Sequence, residues 1–137
     1  MLWALALTLG GLAAFEDLRC RAIPNWLNVG ALAAAVLYQT VIRGLAGFGL
    51  ACGGAAIGFG IFLVFYCLGA MGGGDIKLMA AFGALLGPSA ILLAALLAAL
   101  IGALLAGAAV LWSSRLRAIP YAPAIVLGAW LALLSKG

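Results

Sequence analysis

The stretch MGGGDIKLMAAFGALLGP, residues 71–88, places a carboxylate and an ammonium directly after three glycines in an otherwise apolar chain. Only nine residues separate Lys77 from the Gly87-Pro88 break, or about 14 Å of helix. A hydrocarbon core of about 30 Å needs roughly 20 helical residues. A helix here spans a bilayer only if it begins between Met71 and Asp75. The sequence therefore predicts that Asp75 lies in the membrane or at its edge.

Composition indicates an integral membrane protein. The 137 residues are 69% hydrophobic and 7% charged, with a mean hydropathy of +1.34. Soluble domains carry about 25% charged residues. The apolar runs are broken by charges, Pro or Gly-Pro, which predicts an all-α fold: one membrane-embedded domain over residues 1–137 with no soluble domain. The predicted helices cover residues 2–16, 25–42, 45–70, 75–87, 89–112 and 118–134, which makes six crossings in one bundle.

Composition also excludes several kinds of site. The net charge is +4, but the basic residues are scattered singly or in pairs, which argues against a nucleic-acid surface. The chain has no His, and its three cysteines form no C-x-x-C pair. We therefore expect no metal and no cofactor. The first fifteen residues lack the basic start of a signal peptide and are predicted to be a retained first membrane helix.

The distribution of basic residues predicts the orientation. With the N-terminus outside, five basic residues are cytoplasmic and two are external, as the positive-inside rule requires. The cytoplasmic set is Arg19, Arg21, Lys77, Arg115 and Arg117; the external set is Arg43 and Lys136. The chain then leaves the first helix at Asp17, and the third just before Asp75, on the same cytoplasmic side. A carboxylate at this depth costs about 2.5–3.5 kcal/mol and normally serves a function.

Two aspartates without a histidine favour one kind of catalysis. Carboxylates within hydrogen-bonding range share a proton, so the ionised one can activate water while the protonated one polarises a carbonyl. This is the chemistry of aspartic proteases. Two simpler interpretations remain open: Asp75 is only the N-cap of a helix, and residues 16–21 are an ordinary solvated loop.

Glycines are expected to shape the bundle. Gly72, Gly73 and Gly74 allow backbone conformations closed to other residues and leave room for a neighbouring chain. Elsewhere, small residues four apart predict close helix packing. These pairs are Gly49/Gly53, Gly54/Gly58 and Gly83/Gly87.

Two segments together resemble the type IV prepilin peptidase family, membrane aspartic proteases of the G-x-G-D class. The family's first motif, an Asp followed by a basic residue and I-P-N, matches Asp17 to Asn25 as DLRCRAIPN. Its G-x-G-D-x-K motif matches residues 72–77, GGGDIK. A third stretch, IPYAP at residues 119–123, is similar to the segment that opens the family's last helix.

The resemblance implies that Asp17 and Asp75 are the catalytic pair. It further implies that the other motif residues shape the active site, namely Gly72, Gly74, Lys77, Arg21, Pro24 and Asn25. The implied substrate is a prepilin or pseudopilin helix with a short basic leader, cleaved at the cytoplasmic face of a bacterial inner membrane. Long members of the family carry a cysteine-containing insertion and also N-methylate the product. This chain has neither the insertion nor its cysteines, which favours a short Flp or Tad-like form without methylation.

Two alternatives from other functional classes stay open at this point. A non-enzymatic pilus or secretion subunit explains the glycines but gives no reason for two recessed aspartates. A small proton-coupled transporter uses such carboxylates as a relay, although its usual internal symmetry is missing. Lys77 has two candidate roles: an anchor that reaches the membrane interface, or a partner for a carboxylate. The oligomeric state is not predicted.

Overall fold

The computed structural model describes residues 1–20, 23–69, 72–112 and 122–136, and its regular elements there are all helices. They are α1 (Leu2–Cys20), α2 (Asn25–Cys67), α3 (Gly73–Leu86), α4 (Pro88–Trp112) and α5 (Ala122–Lys136). The predicted all-α fold is confirmed. Arg21, Met71, Arg115, Arg117 and residues 119–121 were singled out in the sequence and lie outside the described residues.

The long helix α2 contains both the second and the third predicted helix. It breaks at Gly44, whose φ of 61° and ψ of −144° belong to a region that essentially only glycine adopts. The two arms then lie so close that a Cβ on Gly47 would meet the backbone carbonyl of Gln39. The sequence placed this break correctly between residues 42 and 45. The number of membrane crossings and their orientation stay predictions.

The observed helix ends differ from the predicted ends at the positions that concern the site. We expected α1 to stop at residue 16, but it continues to Cys20 and carries Asp17 on its buried side. The interpretation of residues 16–20 as an ordinary solvated loop is therefore wrong. Between α3 and α4 the chain turns at Gly87 (φ 83°), and Pro88 follows as the first residue of α4, where its missing N–H costs no hydrogen bond.

Helix α3 lies at the centre of the molecule, because every residue from Leu78 to Leu86 is buried. It packs closely on the second arm of α2, where Gly54 faces the backbone of Gly83. Helix α1 packs on α5, and the indole Nε1–H of Trp130 donates to the carbonyl of Ala6 at 3.0 Å. This arrangement brings the last turn of α1 and the first turns of α3 and α5 to one end of the bundle.

The outer surface is apolar, as a bilayer requires. Helix α4 exposes Leu104, Val110 and Leu111, and α2 exposes Val41 and Leu45. In the part of the chain that the structure describes, two helices are long and apolar enough to cross a membrane, Asn25–Cys67 and Pro88–Trp112. The shorter apolar helix Ala122–Ser135 packs on the second of these, α4. These features fit a membrane protein.

A buried hydrogen bond links α2 to the end of α3. The Gln39 side-chain Nε2 donates to the carbonyl of Leu85 at 2.6 Å, and Gln39 is only 4% exposed. We expect Gln39→Leu to lower the free energy of unfolding by about 1–3 kcal/mol, because a buried carbonyl of the last turn loses its side-chain donor. Thermal unfolding in detergent measures this loss. Thr40→Val, a change at a partly buried position beside it, is the control and should cost less.

Candidate active site

Asp17 lies in the last turn of α1 and is 7% exposed. Its Oδ2 accepts a hydrogen bond from the backbone N–H of Ala122 at 3.3 Å. Ala122 is the first residue of α5, so this N–H belongs to the helix start, where amides have no partner within the helix. The contact joins the end of α1 to the start of α5 and fixes one carboxylate in the interior.

Asp75 is the third residue of α3 and is 9% exposed. The N-cap position belongs to Gly72, so the interpretation of Asp75 as the N-cap is wrong. The Asp75 carboxylate instead accepts a hydrogen bond from the N–H of Gly72, and the N–H of Asp75 bonds the Gly72 carbonyl at 3.3 Å. A side chain that reaches back from the third helical position in this way is half of a capping box. It holds the second carboxylate at the same end of the bundle.

The fold brings the two aspartates together although they are far apart in sequence. Asp17 is close enough to act on Asp75 electrostatically, and both carboxylates are withdrawn from solvent. Each accepts one backbone N–H from a helix start, Asp17 from α5 and Asp75 from α3. Two like charges in a buried setting repel one another, so each carboxylate makes ionisation of the other less favourable.

Of the two roles expected for the three glycines before Asp75, unusual backbone conformations and room for a neighbouring chain, the structure shows only the second. Gly72 has a φ of −82°, which any residue adopts, and the described glycines with positive φ are Gly44, Gly69 and Gly87. The expected room for a neighbouring chain is present at Gly74. A Cβ there would lie 3.4 Å from the Cβ of Ile23, so the segment before α2 packs directly on the start of α3.

The other predicted site residues lie along this contact. Pro24 occupies the N-cap position of α2, and Asn25 begins the helix. The Lys77 ammonium donates to the Asn25 Oδ1 at 2.7 Å, which ties the first motif to the second. Neither expected role of Lys77 included this partner. Arg21 lies outside the described residues.

Sequence reasoning missed two residues. The backbone of Ala122 holds Asp17, and Asn28 is buried with both side-chain polar atoms unpartnered among the described residues. The last helix was predicted to begin at residue 118, but no sequence pattern shows that its first turn faces Asp17. Among the described residues, no group of three or more His, Cys, Asp or Glu side chains is arranged to hold a metal ion.

The chain matches the model of the type IV leader peptidase family over residues 4–107, which includes both aspartates and most of the chain. The protein belongs to this family of membrane peptidases. The family suspected from the two motifs is thus confirmed. Comparison with curated proteins and with solved structures gave no match.

The bond between Lys77 and Asn25 can be tested by a double-mutant cycle. We expect Lys77→Met and Asn25→Ala to be non-additive by about 0.5–1 kcal/mol in the free energy of unfolding, a modest value because the pair is exposed. Thermal unfolding of the four proteins measures the coupling. Arg43→Met combined with Asn25→Ala is the control cycle, and equal coupling in both cycles would contradict the bond.

Proposed function

We propose that the protein is an aspartic endopeptidase that removes the short basic leader of type IV prepilins or pseudopilins of the Flp or Tad type. The observation that carries the proposal is the pair of buried carboxylates, Asp17 and Asp75, within electrostatic range of one another inside the segment that matches the family. Membership of the family supports peptidase activity in general, and the pair supplies a mechanism.

In this mechanism the two carboxylates share one proton. The ionised carboxylate takes a proton from water, and the water oxygen attacks the scissile carbonyl carbon while the protonated carboxyl donates a hydrogen bond to the carbonyl oxygen. The tetrahedral intermediate then collapses, and a carboxyl gives its proton to the leaving amine. The N–H groups of Ala122 and Gly72 fix the two carboxylates, so little reorganisation is needed during the reaction.

The leader is basic and the substrate body is an apolar helix, so cleavage takes place where both environments meet. Asp17 and Asp75 lie near helix ends and not at mid-helix, which suits a scissile bond at the membrane surface. The predicted orientation puts this end on the cytoplasmic side of a bacterial inner membrane. A proton-coupled transporter or an assembly subunit is less well supported, because the family comprises leader peptidases.

The experiment is leader removal in a host without its own prepilin peptidase. The full chain is expressed with a Flp-type prepilin, and the product is followed by gel shift and by the mass of its new N-terminus. We expect a shortened prepilin with a free, unmethylated N-terminal amine. A set of several prepilins that all stay uncleaved, with the membrane protein present at normal level, would refute the proposed activity.

A further inference from the structure

A groove of about 160 Å³ opens between the two arms of α2 and helix α3. We call it the α2–α3 groove; its lining residues are Asn28, Val29, Leu32, Phe59, Lys77 and Ala80. Val29 is 65% exposed and Phe59 42% exposed, so the groove opens onto the apolar outer surface. It is separate from the aspartate pair, because Lys77 and Asp75 lie on opposite sides of α3, about 160° apart.

One end of the groove carries a positive charge. The Lys77 ammonium is exposed and donates to the neutral oxygen of Asn25. An ammonium has three N–H donors, and in the described part of the chain this bond uses one of them. The rest of the lining is apolar apart from Asn28. A cation at the end of an apolar groove is complementary to an amphiphile with an anionic head.

Asn28 is a second, independent sign of a ligand. It is 2% exposed, and neither its Nδ2 nor its Oδ1 has a partner among the described residues. Buried polar groups in native structures nearly always have a hydrogen-bond partner. An unpartnered amide beside a groove therefore indicates that a polar ligand binds there. Asn28 lies three residues after Asn25 on α2, about 4.5 Å deeper along the helix. Asn28 lines the groove, although both polar atoms of its side chain are themselves buried.

We propose that the α2–α3 groove binds one anionic glycerophospholipid. The phosphate lies at Lys77, and an acyl chain lies along Leu32 and Phe59. The Asn28 side chain turns toward the groove on binding, and its Nδ2 donates to an ester carbonyl a few bonds deeper than the phosphate. Trp26, in the first turn of α2 beside Asn25, is 70% exposed, which suits an aromatic residue that contacts lipid headgroups. A basic leader peptide does not fit this groove, because Lys77 repels it. The lipid site does not depend on peptidase activity.

The test uses the full chain purified in detergent and titrated with phosphatidylglycerol or phosphatidylcholine. Native mass spectrometry counts the retained lipid, and thermal unfolding measures the stabilisation that a bound lipid gives. We expect phosphatidylglycerol to be retained and to raise the Tm. Lys77→Gln should weaken its retention about fivefold, whereas Arg43→Gln, which removes the same charge elsewhere, should not.

Two further variants test the groove and the amide. Val29→Trp fills the groove and should abolish retention, while Val110→Trp, at a similarly exposed position on α4, should not. Asn28→Leu removes the orphaned amide, so it should keep or raise the Tm without lipid and reduce the rise on adding phosphatidylglycerol.

Three results would overturn the proposal. The first is equal retention of phosphatidylglycerol by the Lys77→Gln and Arg43→Gln proteins. The second is equal retention of phosphatidylcholine and phosphatidylglycerol by the wild type. The third is a photo-crosslinker at position 29 that captures the prepilin helix and no lipid, which would make the groove a substrate-docking site. Because lipid retention is measured in the absence of prepilin, a negative result would refute the lipid site without affecting the conclusion from the leader-cleavage experiment.

Discussion

Asp75→Asn and Asp17→Asn should each lower leader cleavage by about 10²- to 10⁴-fold, which leaves no product visible on a gel. An amide cannot accept the proton of water, and it cannot share a proton with the remaining carboxylate. The substitution nearly preserves the size of the side chain, so packing around α1 and α3 is retained. Gel shift and N-terminal mass of the prepilin measure the effect.

The control for both variants is Glu16→Gln. Glu16 is the neighbouring acid on α1, it is only partly buried, and the change removes the same charge. We expect cleavage by this variant to stay within about twofold of the wild type, since exposed surface substitutions away from a site have small effects. Wild-type cleavage by either aspartate variant would show that the two carboxylates do not act as a pair.

Thermal unfolding separates a catalytic loss from a folding loss. Asp75→Asn removes one of two like charges that lie close together with little solvent access, and that repulsion opposes folding. The Tm of Asp75→Asn should therefore equal or exceed that of the wild type. A clear fall in Tm, parallel to the fall in cleavage, would instead assign Asp75 a structural role at the start of α3.

Sequence patterns located the helices and the aspartates well, because both follow from local rules. Long apolar runs interrupted by charges and Gly-Pro mark helices, and counting the predicted crossings placed Asp17 and Asp75 on the same face of the membrane. Local rules do not show what surrounds each carboxylate. The amide of Ala122 reaches Asp17 only because α5 packs on α1, and that is a tertiary contact.

The glycine pairs also show that a local sequence pattern does not reveal which tertiary contacts form. Of the three predicted pairs, Gly54/Gly58 faces the backbone of α3, as expected. Gly83 also lies in this contact, but its predicted partner Gly87 serves as a turn with φ 83°. Gly49 faces open space. Spacing of four residues places two glycines on one helix face, but it does not say whether another helix covers that face.

Gly54→Ala should be among the most destabilising single changes in the bundle. A Cβ on residue 54 would overlap the carbonyl oxygen of Gly83 and lie 3.0 Å from the carbonyl carbon of Gly87. Both contacts are with backbone, which cannot rotate away, so α2 and α3 must separate. Overpacking of this kind costs about 1–3 kcal/mol, or more where backbones touch.

Gly60→Ala is the matched control, because it lies on the same arm of α2 and a Cβ there meets nothing within 4 Å. Alanine is the better helix former, so this variant should gain about 0.5–1 kcal/mol. Both substitutions add one methyl group, but their expected effects on the free energy of unfolding have opposite signs. Thermal unfolding in detergent compares them directly. Gly54→Ala should also reduce leader cleavage, because α3 carries Asp75 and moves with the contact. Equal stability of the two variants would mean that α2 and α3 do not meet backbone to backbone, and the position of Asp75 beside Asp17 would lose its structural support.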